Sequence, residues 1–271
     1  MATALVQFVQ THPNHAGTIA FLSTSDEEKS GVGGTQAVLD LLVSEGTKID
    51  AALVGEPTSE LVFGDIVKVG RRGSLNATLT VEGRQGHTAY PHLAVNAVHR
   101  LAPFLSELVS VVWDEGDDVF LPTTCQVSNL RAGTGAPNVV PGSATLDFNF
   151  RFGPASPEAQ IITRVEELLA KHNVPSTLKW LASAQPFRTA TPWLVTQVSE
   201  AVREVTGQIP KEGTGGGTSD ARCFAGHGIP VVEFGPNNAT IHAVDEYILV
   251  QELEDCVKVF TKVLTKMTLP K

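Results

Sequence analysis

The spacing of apolar positions changes twice along this chain, and each change marks a different kind of element. From Ala2 to Thr11 the pattern is helical, but the segment starts with neither an N-cap residue nor an approach strand. A domain seldom begins in this way, so a preceding segment is expected. The unbroken run Gly17-Thr18-Ile19-Ala20-Phe21-Leu22 reads as a buried strand. Gly33 to Ser44 carries Val38, Leu41 and Leu42 at helical spacing, and Asp50 to Val54 is a second short strand ended by Gly55-Glu56-Pro57. Strand, helix, strand is the unit of a largely parallel sheet with covering helices.

After Arg71-Arg72-Gly73 the period drops to two. Ser74 to Glu82 places Leu75, Ala77, Leu79 and Val81 on one face, and Ala144 to Phe152 does the same with Leu146, Phe148, Phe150 and Phe152. Cys125 to Leu130 and Thr177 to Leu181 are further strands. Asn96 to Val112 is an amphipathic helix. A second helix begins at Ser156-Pro157-Glu158, with a serine N-cap and proline in its first position, and runs to His172. This block predicts an antiparallel sheet with two helices on one face. The helical rhythm then returns: Thr191-Pro192 caps a helix to Thr206, Ser219 to Ala225 is a short helix, Pro230 to Phe234 a buried strand and Val250 to Lys266 a closing helix. The predicted fold is therefore α/β, a mostly parallel sheet covered by helices formed by residues 1–72 and 187–271, with an inserted α+β domain at residues 73–186.

Composition narrows the partners. The 271 residues are 42% hydrophobic and carry a net charge of −9, which argues against nucleic acid or an anionic membrane surface. No apolar stretch has the length of a membrane span, and the N-terminus lacks a signal-peptide pattern. Cys125, Cys223 and Cys256 are few and far apart, as expected of reduced thiols in a cytoplasmic protein.

Five features carry candidate chemistry. Asp26, Glu27 and Glu28 end the first apolar run, where ionised carboxylates are costly to bury unpaired. Of two adjacent glutamates, one can bind a metal while the other takes a proton from a water the metal polarises. Glu56, at the next strand exit, would share that edge, and His242 could add the imidazole that zinc favours beside carboxylates. Gly215-Gly216-Gly217-Thr218-Ser219-Asp220 opens a helix with backbone N–H groups available to a carboxylate, and lacks the spacing of a nucleotide loop. Gly86-His87-Thr88-Ala89-Tyr90-Pro91-His92 places a histidine where it could stabilise an oxyanion. Taken one at a time, each also reads as a solvated turn or ordinary loop.

Together these segments resemble one family. Ser25-Asp26-Glu27-Glu28, Val54-Gly55-Glu56-Pro57-Thr58-Ser59, Val67-Lys68-Val69-Gly70-Arg71-Arg72-Gly73-Ser74, Gln85-Gly86-His87-Thr88-Ala89-Tyr90-Pro91-His92, Asn138-Val139-Val140-Pro141, Phe148-Asn149-Phe150-Arg151, Thr214-Gly215-Gly216-Gly217-Thr218-Ser219-Asp220 and Thr240-Ile241-His242 look like the bacterial succinyl-diaminopimelate desuccinylases. These are two-zinc amidohydrolases of lysine and diaminopimelate biosynthesis, related to the aminoacylases. The match runs in order over nearly the whole chain. It implies an incomplete zinc-peptidase-like catalytic domain with an inserted dimerisation domain. It implies two Zn2+ per subunit, with Co2+ able to substitute, and a small-molecule dicarboxylate amide as substrate, hydrolysed to succinate and LL-2,6-diaminopimelate. A homodimer is expected, with strand Ser74 to Glu82 offering an edge for pairing.

By the same resemblance Glu27 is the general base, Glu28 and His242 bind one zinc and Glu56 the other. His87 and Asn138 are oxyanion or substrate groups contributed across the subunit boundary, with Tyr90 nearby. Arg71, Arg151, Gly217 and Thr218 meet substrate carboxylates, a task that suits the fork of arginine. The chain departs from the pattern in lacking the N-terminal stretch that carries a zinc-binding histidine and the bridging aspartate, for which His12 and His15 do not substitute. It also has Pro137 where relatives carry a polar residue. The chain as it stands is therefore expected to be inactive. Two other readings stay open: a different N-acyl amino acid deacylase, such as an acetylornithine deacetylase, and a non-catalytic fragment that keeps the dimerisation domain.

Overall fold

The computed structural model describes residues 1–25, 27–28, 33–181 and 184–268. The chain divides into two compact units, one formed by Met1–Arg71 with Phe187–Lys271, the other by Arg72–Pro186.

The first unit opens with α1 (Ala2–Thr11), α2 (Thr35–Ser44), β1 (Ala52–Val54), β2 (Ile66–Lys68) and β3 (Gly70–Arg71). The second unit contributes β4 (Gly73–Glu82), β5 (Gly86–His87), α3 (Ala97–Leu108), β6 (Thr124–Ala132), β7 (Val139–Val140), β8 (Ser143–Phe152), α4 (Glu158–Lys171) and β9 (Ser176–Trp180). The chain then returns to the first unit with β10 (Phe187–Arg188), α5 (Pro192–Thr206), β11 (Lys211–Gly213), α6 (Ala221–Gly226), β12 (Val231–Glu233) and α7 (Val250–Thr268).

In the second unit a four-stranded antiparallel sheet has the order β6-β8-β4-β9. The alternation along β4 and β8 sends Leu75, Leu79, Leu146, Phe148 and Phe150 into a core closed by Leu101 and Phe104 of α3 and Ile161 and Val165 of α4. Trp113 meets the edge of Phe150 and Trp180 that of Phe148, the arrangement that aromatic quadrupoles favour. α3 starts where Asn96 accepts from the N–H groups of Val98 and His99, a side-chain cap for donors the helix cannot satisfy internally.

Two expectations fail in this unit. β4 is not an edge: it lies between β8 and β9, because both of its backbone sides are used in pairing. The outer strands are β6 and β9. Ser156 is also not the N-cap of α4, which starts one residue later with Pro157 in that position. The Ser156 hydroxyl donates instead to Asp114, 2.5 Å away, because a carboxylate outcompetes a backbone group for it.

The first unit has a mixed sheet of order β1-β12-β2-β11, with β1 and β12 parallel, β2 and β11 parallel, and β12 and β2 antiparallel. Its strands come from distant parts of the sequence, which the short runs at Ile66–Lys68 and Lys211–Gly213 do not announce. Ala4 and Phe8 of α1, Val198 and Val202 of α5, and Val259 and Val263 of α7 are buried. Lys262 and Lys266 of α7 bond Glu204 of α5 at 2.7 and 2.9 Å.

The run Gly17 to Leu22 is not a strand. It forms no ladder with any described residue, and Phe21 and Leu22 are exposed. A strand exists only where a neighbour takes its N–H and C=O groups, and β1, at the edge of the sheet, pairs only with β12 among the described residues.

Candidate active site

Glu56 and His242 follow two strands that leave the sheet together. β1 and β12 are parallel with Val54 opposite Glu233, so both chains exit on one side. Gly235 must be glycine: a Cβ there would lie 2.4 Å from the Glu56 carbonyl oxygen. The two exits are tied by Thr58, whose hydroxyl accepts from the Gly235 N–H at 3.1 Å, and by Ser59, whose hydroxyl donates to the Gly235 carbonyl at 2.9 Å.

His242 sits in the loop after β12. Thr240 closes that loop by donating to the Tyr247 carbonyl at 2.8 Å and accepting from the Tyr247 N–H at 3.1 Å. The His242 backbone has φ 57°, a left-handed conformation that costs a non-glycine residue about 1–3 kcal/mol. Its Nε2 lies 3.1 Å from Oε1 of Glu28, and both side chains face solvent. The bond to Glu28, followed by that carboxylate's charge, raises the His242 pKa above the ordinary imidazole value. Glu27 is also raised, first by partial burial and then by the charges of Asp220 and Glu28. Asp26 falls outside the described residues.

Glu56 is the most perturbed of these acids. Burial, with the neighbouring charges of Glu233 and Glu27, pushes its pKa up to about 7. Acids crowded at one edge favour a bound cation, which would neutralise their repulsion. Among the described residues no three of His, Cys, Asp and Glu stand close enough to hold an ion. The Glu28–His242 contact supplies two donors of the kinds zinc takes, one short of the three protein ligands usual in a catalytic zinc site.

Arg71 is not a free guanidinium. It is 7% exposed, its Nε lies 3.0 Å from both carboxylate oxygens of Glu233, Nη2 also bonds Glu233, and Nη1 donates to the Gly215 carbonyl at 3.0 Å. Ser219 donates to the other face of this arrangement, its Oγ 2.6 Å from Glu233 Oε1. Gly216, Gly217 and Thr218, between these two anchors, are exposed. Glu233 escaped the sequence reading. Its signal was a carboxylate inside the apolar stretch Pro230-Val231-Val232-Glu233-Phe234, where only a partner makes burial tolerable.

In the second unit the short ribbon of β5 and β7 sets His87 opposite Val139, and the Thr88 N–H donates to the Asn138 carbonyl at 3.0 Å. His87 and Asn138 are thus neighbours in space, both exposed. His87 Nδ1 accepts from the Ala89 N–H at 3.0 Å, which leaves Nε2 as the outward nitrogen of the ring. The Tyr90 ring stands 5.7 Å from that of His87. Arg151 lies on the β8 face opposite Phe150 and Phe152 and is half-buried, which lowers its pKa; its charge also lowers that of half-buried Arg72.

Comparison with known proteins adds an independent line. Residues 69–177 match the family model described as a peptidase dimerisation domain. A succinyl-diaminopimelate desuccinylase of Halorhodospira halophila is 48% identical over 98% of this chain and 71% of its own length. One from Burkholderia multivorans is 50% identical over 97% of this chain and 70% of its own. Among solved structures, aminopeptidase PepT of Bacillus cereus superposes with a TM-score of 0.76 at 21% identity, covering 97% of this chain and 69% of that one. At that identity the likeness speaks for the fold alone.

Proposed function

The chain belongs to the succinyl-diaminopimelate desuccinylase family of M20 amidohydrolases, and from that membership we propose that its reaction is the hydrolysis of N-succinyl-LL-2,6-diaminopimelate to succinate and LL-2,6-diaminopimelate. The observation that carries the reading at the site is the meeting of His242 with Glu28, residues distant in sequence, beside the raised carboxyl of Glu27.

The family is metal-dependent, and zinc suits the nitrogen and carboxylate donors present here. Glu28 and His242 would hold one ion and Glu56 contribute to a second. A bound ion would polarise the scissile carbonyl and the attacking water. Glu27 takes the water's proton on a carboxylate oxygen and returns it to the leaving amine nitrogen. Its raised pKa brings it closer to the operating pH, where proton transfer in both directions is efficient. His87, contributed across the subunit boundary in this reading, would donate from Nε2 to the carbonyl oxygen as charge develops on it, with Asn138 and Tyr90 beside it. Gly217, Thr218 and the two N–H groups of Arg71 not used by Glu233 and Gly215 would meet a substrate carboxylate, and the family resemblance assigns Arg151 a carboxylate contact as well.

The second unit makes a homodimer in this reading. Support comes from the dimerisation-domain match and from β6, a nine-residue outer strand whose backbone groups offer a template for pairing. Sedimentation at micromolar concentration should give a dimer; a strict monomer would count against it.

The 271 residues by themselves carry Glu28, Glu56 and His242 from the ligand set. We expect them to retain at most one weakly held zinc per chain and to show no measurable turnover. Metal analysis after dialysis, with a desuccinylase assay in added zinc, checks this; two tightly held ions or ready turnover would reveal a replacement ligand. The substrate assignment is tested on a form carrying a complete ligand set. N-Succinyl substrate should be cleaved far faster than N-acetylornithine. Equal rates would favour a general deacylase.

A further inference from the structure

We propose that Glu233 is a positioning residue for carboxylate recognition: by gripping Arg71 on one side and Ser219 on the other it holds the exposed Gly216–Thr218 loop in its ligand-ready shape. The proposal rests on the reading of Thr218 and Gly217 as substrate contacts, and extends it to residues that touch no substrate.

The geometry is specific. Glu233 is 1% exposed at the end of β12, and Arg71, at the end of β3, is 7% exposed. A carboxylate this deep requires a full set of partners, and it has them: two nitrogens of the Arg71 fork and the Ser219 hydroxyl. Each partner is also attached to the loop. Ser219 is its last residue, 2% exposed, and Arg71 reaches its first through the Gly215 carbonyl at 3.0 Å. Gly216 closes over the guanidinium with φ +92°, where an added Cβ would come within 2.6 Å of Arg71 Nη1. One buried carboxylate therefore anchors both ends of a segment whose middle is open to solvent. A glycine-rich loop left to itself would spend most of its time in other conformations, and ordering it would weaken binding.

The same contacts would orient Arg71. With Nε and Nη2 held by Glu233, the remaining N–H groups have a fixed direction. Lysine would keep the charge and lose the fork, so it cannot perform this task.

The test uses the 271-residue chain with succinate as probe, followed by NMR titration and by amide hydrogen exchange. Ser219→Ala removes one anchor and leaves the Arg71–Glu233 pair intact, so the chain should fold. We expect backbone mobility at residues 215–218, read from amide ¹⁵N relaxation in the same NMR samples, to rise, with α7 and β8 unchanged in exchange and relaxation, and succinate affinity to fall about tenfold. Arg71→Lys should loosen the loop similarly despite retaining the charge, and Glu233→Gln should weaken succinate binding further, because it leaves the guanidinium buried without its counter-charge. Unchanged loop mobility in Ser219→Ala, or a loop as rigid as in the parent in Arg71→Lys, would overturn the proposal. Thr218→Ala separates the two readings. If it leaves succinate affinity intact while Ser219→Ala loosens the loop, the positioning role stands and the substrate contact fails. If Thr218→Ala weakens binding while Ser219→Ala changes neither readout, the contact stands and Glu233 has no positioning role.

Discussion

The two units of this chain solve the same problem, closing a sheet with helices, by opposite means. The second unit builds its sheet around two ten-residue strands that pair along their full length, β4 with β8 from Gly73↔Phe152 to Glu82↔Ser143. One continuous core lies beneath them. The first unit builds its four-stranded sheet from three-residue strands gathered from distant parts of the sequence, and its apolar run at Phe21 and Leu22 stays exposed. The longest strands lie in one unit and the carboxyls with raised pKa in the other. Glu27, Glu28, Glu56 and His242 all stand at strand exits or in loops of the first unit, where acids remain close enough to shift one another's pKa. A site of this kind needs scaffold edges, because a carboxylate that must bind and release a ligand cannot be satisfied permanently in a core.

That contrast can be broken experimentally. The largest effect belongs to the chemistry. In a form carrying the complete ligand set, Glu27→Gln should lower turnover by about 10²–10⁴-fold with metal content nearly intact, whereas Glu28→Gln should lose metal. Metal analysis beside steady-state kinetics would show the reverse if the two roles were exchanged. Next comes the core: Phe148→Ala, at a side chain 1% exposed, should destabilise the second unit by about 3–5 kcal/mol in denaturant titration. A much smaller loss would mean that the sheet tolerates a cavity under its central strands. A milder change in the same unit, Asn96→Ala, removes the cap of α3 and should cost about 1 kcal/mol, visible as an earlier unfolding midpoint.

The smallest effect sharpens the electrostatic side. Glu56 has its folded pKa raised from 4.5 to about 7, so between those values the folded protein binds the proton more tightly than the unfolded chain does. Metal-free stability from this group is full below about pH 4.5 and is lost as pH rises through about 7. Added zinc should offset the loss above pH 7, since a cation counters both the burial and the neighbouring charges that raise the pKa. Glu56→Gln should flatten that pH dependence. A profile unchanged by the substitution would place the titration elsewhere.

Legibility followed the same division. The alternation of Leu75, Ala77, Leu79 and Val81, and of Leu146 to Phe152, announced two strands and the face they bury, because period-two burial is a local property of the backbone. Helices α1, α5 and α7 were readable for the corresponding reason at helical period. The run Gly17 to Leu22 misled, since hydrophobicity alone cannot say whether a ladder partner exists. Strands β2 and β11 went unseen because three residues are too few to show a period. Among the candidate residues, Glu27, Glu28, Glu56, His87 and His242 were proposed from their motifs, while Glu233 was passed over although its carboxylate interrupts an apolar run.

What the sequence determined by itself is therefore the set of elements with a strong period, the acidic, metal-friendly composition of the strand exits and the resemblance to a family. What only the tertiary structure decided is which of those residues meet. His242 reaches Glu28, Glu233 takes Arg71 and Ser219, and β4 lies inside its sheet. The physical reason is that periodicity is written over neighbouring residues, whereas a contact between distant ones depends on strand order and register, which follow from how all the buried faces close together.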